Sequence, residues 1–245
     1  MEHSPQLDIA THSAKLPGSL KAFIFHDTSL LEDDESVYAI NWFNTRSAVV
    51  YDFYNWLAVR SVRKIGGEPF IKCKLERTLL DNDALRRDVL LIVKYPSLQN
   101  FRLMLESTIF QLVSLLRTAA VSNFTFGFTK RRDRGMNLPP HNPKSQTKDS
   151  IAVIQYLGEF DSGKLHSLLE NHKDIELYYS GLIGGEIGTG KQSDGCNRVP
   201  CIISGIHVLK AEDAQSFDRL IENPDFQSLT QTPKQIYAGL YNRIL

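Results

Sequence analysis

A stretch that occurs twice constrains this chain more than any other feature. Asp88 to Gln111 reads DVLLIVKYPSLQNFRLMLESTIFQ, and Ser204 to Gln227 reads SGIHVLKAEDAQSFDRLIENPDFQ. In each copy a β-branched run leads into a helical segment. Phe101, Glu106, Phe110 and Gln111 recur as Phe217, Glu222, Phe226 and Gln227, each displaced by 116 positions without a gap. A strand-to-helix unit repeated at this distance implies two modules built alike. The length of 245 residues admits one large domain or two small ones.

The first module reads in order. Val37 to Phe43 is rich in β-branched and aromatic residues and predicts a strand. Thr45 predicts the N-cap of a helix in which Val49, Phe53, Trp56, Leu57 and Arg60 form an inward apolar stripe. Gly66-Gly67 stops that helix. Strands follow at Phe70 to Leu75 and Val89 to Tyr95, with Asp81-Asn82-Asp83 as the turn between them. Ser97 caps a second helix that Ser107-Thr108 interrupts, and Phe124 to Phe128 closes the module. The order is β-α-β-β-α-β, a ferredoxin-like unit over residues 37–129.

Residues 130–149 are rich in Pro, Asn, Lys and Arg and predict a linker, with His141 inside it. Residues 150–245 repeat the order: strands at 151–157, 175–183, 199–209 and 236–241, helices at 162–171 and 213–221, the latter broken by Asn223-Pro224. The extension 1–36 is polar apart from KAFIFH, residues 21–26, which predicts an edge strand or a segment across the outside. The expected fold class is α+β. Each four-stranded sheet has helices on one face only, yet Leu90 to Val93, Ile202 and Ile203 are apolar at consecutive positions. Such a sheet needs cover on its second face, and the other module supplies it. Two tandem ferredoxin-like (βαββαβ) units packed sheet to sheet as a pseudo-dimer are therefore expected.

Several local sequences carry a resemblance. A helix ends in Gly66-Gly67 before a strand, and a strand ends in Tyr95-Pro96-Ser97 before a helix. Helix-breaking segments end in Ile109-Phe110-Gln111 and in Asn223-Pro224-Asp225-Phe226-Gln227. These resemble the dimeric α/β-barrel superfamily, in particular its DUF1330-like (YciI/EthD-like) branch, over residues 37–129 and more loosely over 150–245. The resemblance implies a dimeric α/β-barrel-like pseudo-dimer within one chain. Some enzymes of that superfamily use one histidine in a cavity between sheet and helices, which is similarity of fold and assigns no role here.

The strongest chemical anomaly is His207, in the otherwise apolar strand Cys201 to Leu209, where the first copy has Leu91. An imidazole titrates near neutrality and serves as acid, base, metal ligand or haem ligand. A core histidine hydrogen-bonded to backbone is the plainer alternative. Tyr38, Trp42, Tyr95, Tyr156, Tyr178 and Tyr179 are aromatic candidates for lining a cavity, and Asn41 and Gln155, which are read as occupying similar positions near the ends of the two first strands, are polar candidates for ligand contacts. Gly185 to Lys191, GEIGTGK, fits the core of a phosphate-binding loop. Gln192 stands where that loop needs Ser or Thr, and no apolar helix follows, so the run is read as a long glycine-rich hairpin loop.

The totals exclude more than they assign. Lys+Arg and Asp+Glu both number 28, so no basic excess points to nucleic acid. Three scattered cysteines, Cys73, Cys196 and Cys201, suit a reducing cytoplasm and are too few for a disulfide framework; Cys196 and Cys201, close in sequence, are read as ordinary thiols, with metal binding the lesser alternative. The first eighteen residues show no basic or apolar leader region, and no window is apolar enough to span a membrane. The expectation is a cytoplasmic small-molecule enzyme, without nucleotide cofactor, acting on a hydrophobic or aromatic metabolite as an oxygenase, isomerase or cyclase. The alternatives are a non-catalytic ligand-binding or regulatory protein and a haem-binding protein with His207 as axial ligand. A homodimer of the pseudo-dimer is a further expectation.

Overall fold

Alternating apolar residues set the strands, and their two faces set the layers. In the computed structural model, which describes residues 21–25, 36–131, 150–189 and 203–244, nine strands and six helices are defined. The first half holds β1 (Lys21–Phe25), β2 (Val37–Thr45), α1 (Ala48–Lys64), β3 (Glu68–Leu80), β4 (Val89–Tyr95), α2 (Leu98–Glu106), α3 (Thr108–Ala120) and β5 (Val121–Arg131). The second holds β6 (Ser150–Leu157), α4 (Ser162–Asn171), β7 (Ile175–Thr189), β8 (Gly205–Ala211), α5 (Gln215–Glu222), α6 (Pro224–Thr230) and β9 (Gln235–Arg243).

The strand order is β5-β2-β4-β3 in the first half and β9-β6-β8-β7 in the second. Two antiparallel ladders join the halves: β3 with β9 (Cys73↔Arg243 to Leu80↔Ala238) and β5 with β7 (Gly127↔Glu186 to Arg131↔Gly181). With β7 also paired to β8, eight strands close into one antiparallel, barrel-like sheet. The fold is mixed α+β. The halves do face each other across an apolar interior, but they are also hydrogen-bonded along both edges. Apolar runs announce a buried face and say nothing of which edge finds a partner, so the two ladders were not legible in the sequence. β1 pairs with the far end of β7, Lys21↔Thr189 to Phe25↔Gly185, as an edge strand.

Tyr38, Ile40 and Trp42 of β2 point into the barrel with Ile71, Ile151, Val153, Ile206, Val208 and Tyr237. Val37 and Ala39 point outward, against Ala58, Val62, Phe101 and Phe110 of the first helical layer. Ala152 and Ile154 do the same against Leu165, Phe217 and Phe226 of the second. The repeat therefore holds as packing: Phe101, Phe110, Phe217 and Phe226 are all buried anchors of their layers. It holds at the helix breaks too. Ser107 has φ −65 and ψ 124, and Asn223, the same 116 positions on, has φ −66 and ψ 126.

Gly66 and Gly67 end α1 as the sequence predicts. Gly66 takes φ +78, its N–H donates to Arg63 O, and the Gly67 N–H donates to Val62 O, the two bonds of a Schellman motif. Other local expectations are corrected. Ser47, whose Oγ accepts from the Val50 N–H, caps α1, and Thr45 is the last residue of β2. The stripe Val49, Phe53, Trp56 faces solvent; Tyr51, Ala58 and Val62 are the buried side chains of α1. The helix is apolar on two sides, and the side with the small Ala58 packs on the sheet. Gly185 to Thr189 is not hairpin loop but strand, paired with β1 and, at Gly185 and Glu186, with β5. Lys191, Gln192, Cys196, Cys201, His141 and the rest of 132–149 lie outside the described residues.

Phe217 is fully enclosed, whereas the Arg77–Asp218 ion pair that crosses between the halves at 2.7 Å is close to half exposed. Phe217→Ala is expected to cost about 3–5 kcal/mol of unfolding free energy. Asp218→Asn is expected to cost less than about 1 kcal/mol. Denaturant titration of the two variants checks the ordering.

Candidate functional site

The structure divides the nine candidate residues among three places. Tyr38, Trp42, Gln155, Tyr178 and Tyr179 are inside the barrel, Asn41 and Tyr95 lie under the first helical layer, and Tyr156 and His207 lie under the second. Among the described residues these three places are separate.

Inside, aromatic rings fill the space. Tyr38 packs on Phe70 and Tyr179 with centroids 5.4 and 5.3 Å away, Phe70 stacks on Tyr178 at 5.6 Å, and the Thr129 and Tyr179 hydroxyls are in hydrogen-bond contact. Among the described residues there is also a crevice of about 160 Å³ lined by Trp42, Leu85, Arg87, Thr125, Gln155 and Ile203, nowhere wide enough to seat a water molecule. Trp42 Nε1 and Gln155 Nε2 are buried there without a hydrogen-bond partner. An unmade buried hydrogen bond costs about 1–3 kcal/mol, so these donors mark a local weak point. The register also corrects a correspondence: Trp42 pairs with Leu90, and Gln155 pairs with Ile206, the repeat-equivalent of Leu90. Gln155 is thus the counterpart of Trp42, and Asn41 the counterpart of Ile154.

Under the first layer the polar atoms are committed to the protein. Asn41 Nδ2 donates to the Leu91 and Ala39 carbonyls, both at 3.3 Å. The Tyr95 hydroxyl contacts Met104 Sδ at 3.6 Å, and its ring meets Phe101 edge-on at 4.9 Å. Burial holds the Tyr95 hydroxyl well above the ordinary tyrosine range, so it stays protonated.

Under the second layer a histidine, a serine hydroxyl and two aromatic rings come together. β8 sends Ile206 and Val208 into the barrel, which turns His207 outward beneath α4. Its ring lies 5.5 Å from Tyr156 and 5.0 Å from Phe160, with Tyr156 and Phe160 themselves stacked at 4.7 Å. Asp161 caps α4 by accepting the Lys164 N–H, which places Ser162 at the first helical position. The Ser162 hydroxyl then stands 3.5 Å from His207 Nε2, at the outer limit of hydrogen bonding. His207 and Tyr156 are each 1% exposed. An imidazole with a hydroxyl at one nitrogen and flat rings around it is equipped to take a proton from, or return one to, a flat hydroxylated molecule.

Sequence reasoning picked out His207 and Tyr156 but not Phe160, Ser162 or Gly205. Asp161 before an apolar run does signal a helix start; only the β6–β8 register reveals that this start lies over His207. Gly205 sits opposite Tyr156, and a Cβ there would collide with the Tyr156 hydroxyl. Lys72 was also missed: it is buried beneath α1 with Nζ 5.0 Å from the Tyr51 ring, and burial lowers its pKa.

The surroundings of His207 do not fit haem. An axial ligand must offer its nitrogen to a broad open face, and here Nε2 meets Ser162 while Phe160 and Tyr156 pack around the ring. Among the described residues no three His, Cys, Asp or Glu side chains group as metal ligands, and no helix is long and apolar enough to cross a membrane.

No family model matches this chain, and no curated protein does. Solved structures are similar to it at low identity. An anthrone oxidase-like protein is 9% identical over 91% of this chain and 94% of its own, with a TM-score of 0.49. A mutant of the chlorite dismutase from Candidatus Nitrospira defluvii is 13% identical over 87% and 94%, with a TM-score of 0.37. A protein of unknown function from Rhodopseudomonas palustris is 20% identical over 40% of this chain and 82% of its own, with a TM-score of 0.37. At these values the likeness says nothing about chemistry.

Gly205→Ala must displace the Tyr156 ring that borders His207. The expected outcome is a loss of about 1–3 kcal/mol of stability, with shifted His207 ring resonances in NMR spectra. Unchanged resonances would show that Tyr156 does not depend on the glycine.

Proposed function

We propose that this chain is a small-molecule enzyme of the dimeric α/β-barrel type, built from tandem ferredoxin-like units at 37–129 and 150–245. It acts on a hydrophobic or aromatic metabolite without a nucleotide cofactor. The observation that supports this most is the His207–Ser162 pair held among Tyr156 and Phe160. In this reading a flat, hydroxylated substrate displaces Phe160 and stacks on Tyr156. His207 Nε2 takes the hydroxyl or enol proton, and Ser162 Oγ orients the substrate oxygen. Proton removal of this kind opens oxygenase, isomerase and cyclase chemistry alike. The balanced charge suits a small molecule better than a nucleic acid.

A ligand-binding or regulatory protein without turnover is the second reading. The near-complete burial of His207 favours it, because a substrate must first open the site. Native mass spectrometry of the gently purified chain identifies a bound molecule, which then serves as the test substrate. His207→Leu is expected to lower kcat about 10²–10⁴-fold while circular dichroism stays unchanged. Full activity in that variant removes the catalytic assignment. Binding without any turnover by the unaltered protein selects the second reading.

A further inference from the structure

The helical layer of the first half is only half used. α1 packs along α3, and each helix turns a second apolar stripe to solvent: Val49, Phe53 and Trp56 on α1, Ile109, Leu112 and Leu115 on α3. These six side chains are between 51% and 80% exposed, and among the described residues the second half's helices carry no large exposed apolar side chain. Phe53 and Trp56 stack at 6.1 Å, with the Arg60 guanidinium 3.8 Å over the Trp56 ring. Taken with the size of such side chains, the stripe offers roughly 600–700 Å² of apolar surface. Monomers rarely show more than about 300–600 Å² in one patch. A stable interface uses about 800 Å² per partner.

We propose that this face pairs with the same face of a second copy of the chain, through a two-fold axis near Trp56. Of the charges on α1, Asp52 and Arg60 are spaced for self-pairing. In an antiparallel α1–α1 contact centred on Trp56, Asp52 comes opposite the partner's Arg60, and Phe53 and Trp56 interleave with their own copies. The contact is isologous, so it closes at two chains. It leaves the His207 site on the other helical layer, and it stands whether or not that site is catalytic.

Sedimentation velocity of the full chain at micromolar concentrations tests the proposal. The unaltered protein is expected at twice its 27.8 kDa chain mass. Phe53→Glu and Leu112→Glu change exposed positions, so both variants should keep their circular dichroism while dimerising at least tenfold more weakly. Asp52→Arg should weaken the dimer, and adding Arg60→Asp should restore it. A monomeric unaltered protein overturns the proposal. So does a dimer indifferent to Phe53→Glu, which would use another surface. A monomer that pellets with phosphatidylglycerol vesicles and loses this on Phe53→Glu also overturns it, assigning the face to a membrane surface.

Discussion

Everything in this structure depends on the two ladders that join its halves. A four-stranded sheet leaves two edges with unpaired N–H and C=O groups, each a template for unwanted pairing. It also leaves bare the face that its helices do not cover. Joining β3 to β9 and β5 to β7 answers both needs together. The edges become internal, and the two bare faces become the walls of one interior. That interior holds side chains from both halves, from Tyr38 and Trp42 on one side to Tyr237 and Tyr241 on the other.

Under the helical layers the halves part company. At one equivalent place the first half sets Asn41 beside Leu91, and the second sets Ile154 beside His207. Each half therefore carries one polar side chain at this point, but from different strands. Asn41 spends its donors on neighbouring carbonyls, while His207 meets a hydroxyl and two aromatic rings. The helical layers diverge as well: the first exposes apolar stripes on α1 and α3, and the second sheathes its apolar side chains. The two halves thus differ in what their helical layers bury and expose.

Much of this was legible in the sequence, for identifiable reasons. The gapless displacement of Phe101 and Phe110 onto Phe217 and Phe226 reported packing anchors that the structure buries in both layers. Gly66-Gly67, Ser97 and Asn223-Pro224 reported helix ends because capping is a local matter. The inward face of α1 was not legible, since two apolar stripes run along it and only the neighbouring sheet chooses between them. Pairing Asn41 with Gln155 failed for a similar reason: in a strand, an error of one residue exchanges the faces. The site could not be assembled from sequence because Phe160 and Ser162 reach His207 only through the β6–β8 register.

Hydrogen exchange of backbone amides, followed by mass spectrometry, tests the closed barrel most directly. The β3–β9 and β5–β7 ladders join strands far apart in sequence, and a single closed sheet opens only when the whole molecule unfolds. Their amides should then exchange as slowly as those of β2–β4 and β6–β8 within the halves. Junction amides that exchange markedly faster, with each half still protected, would show two separate sheets and contradict the account.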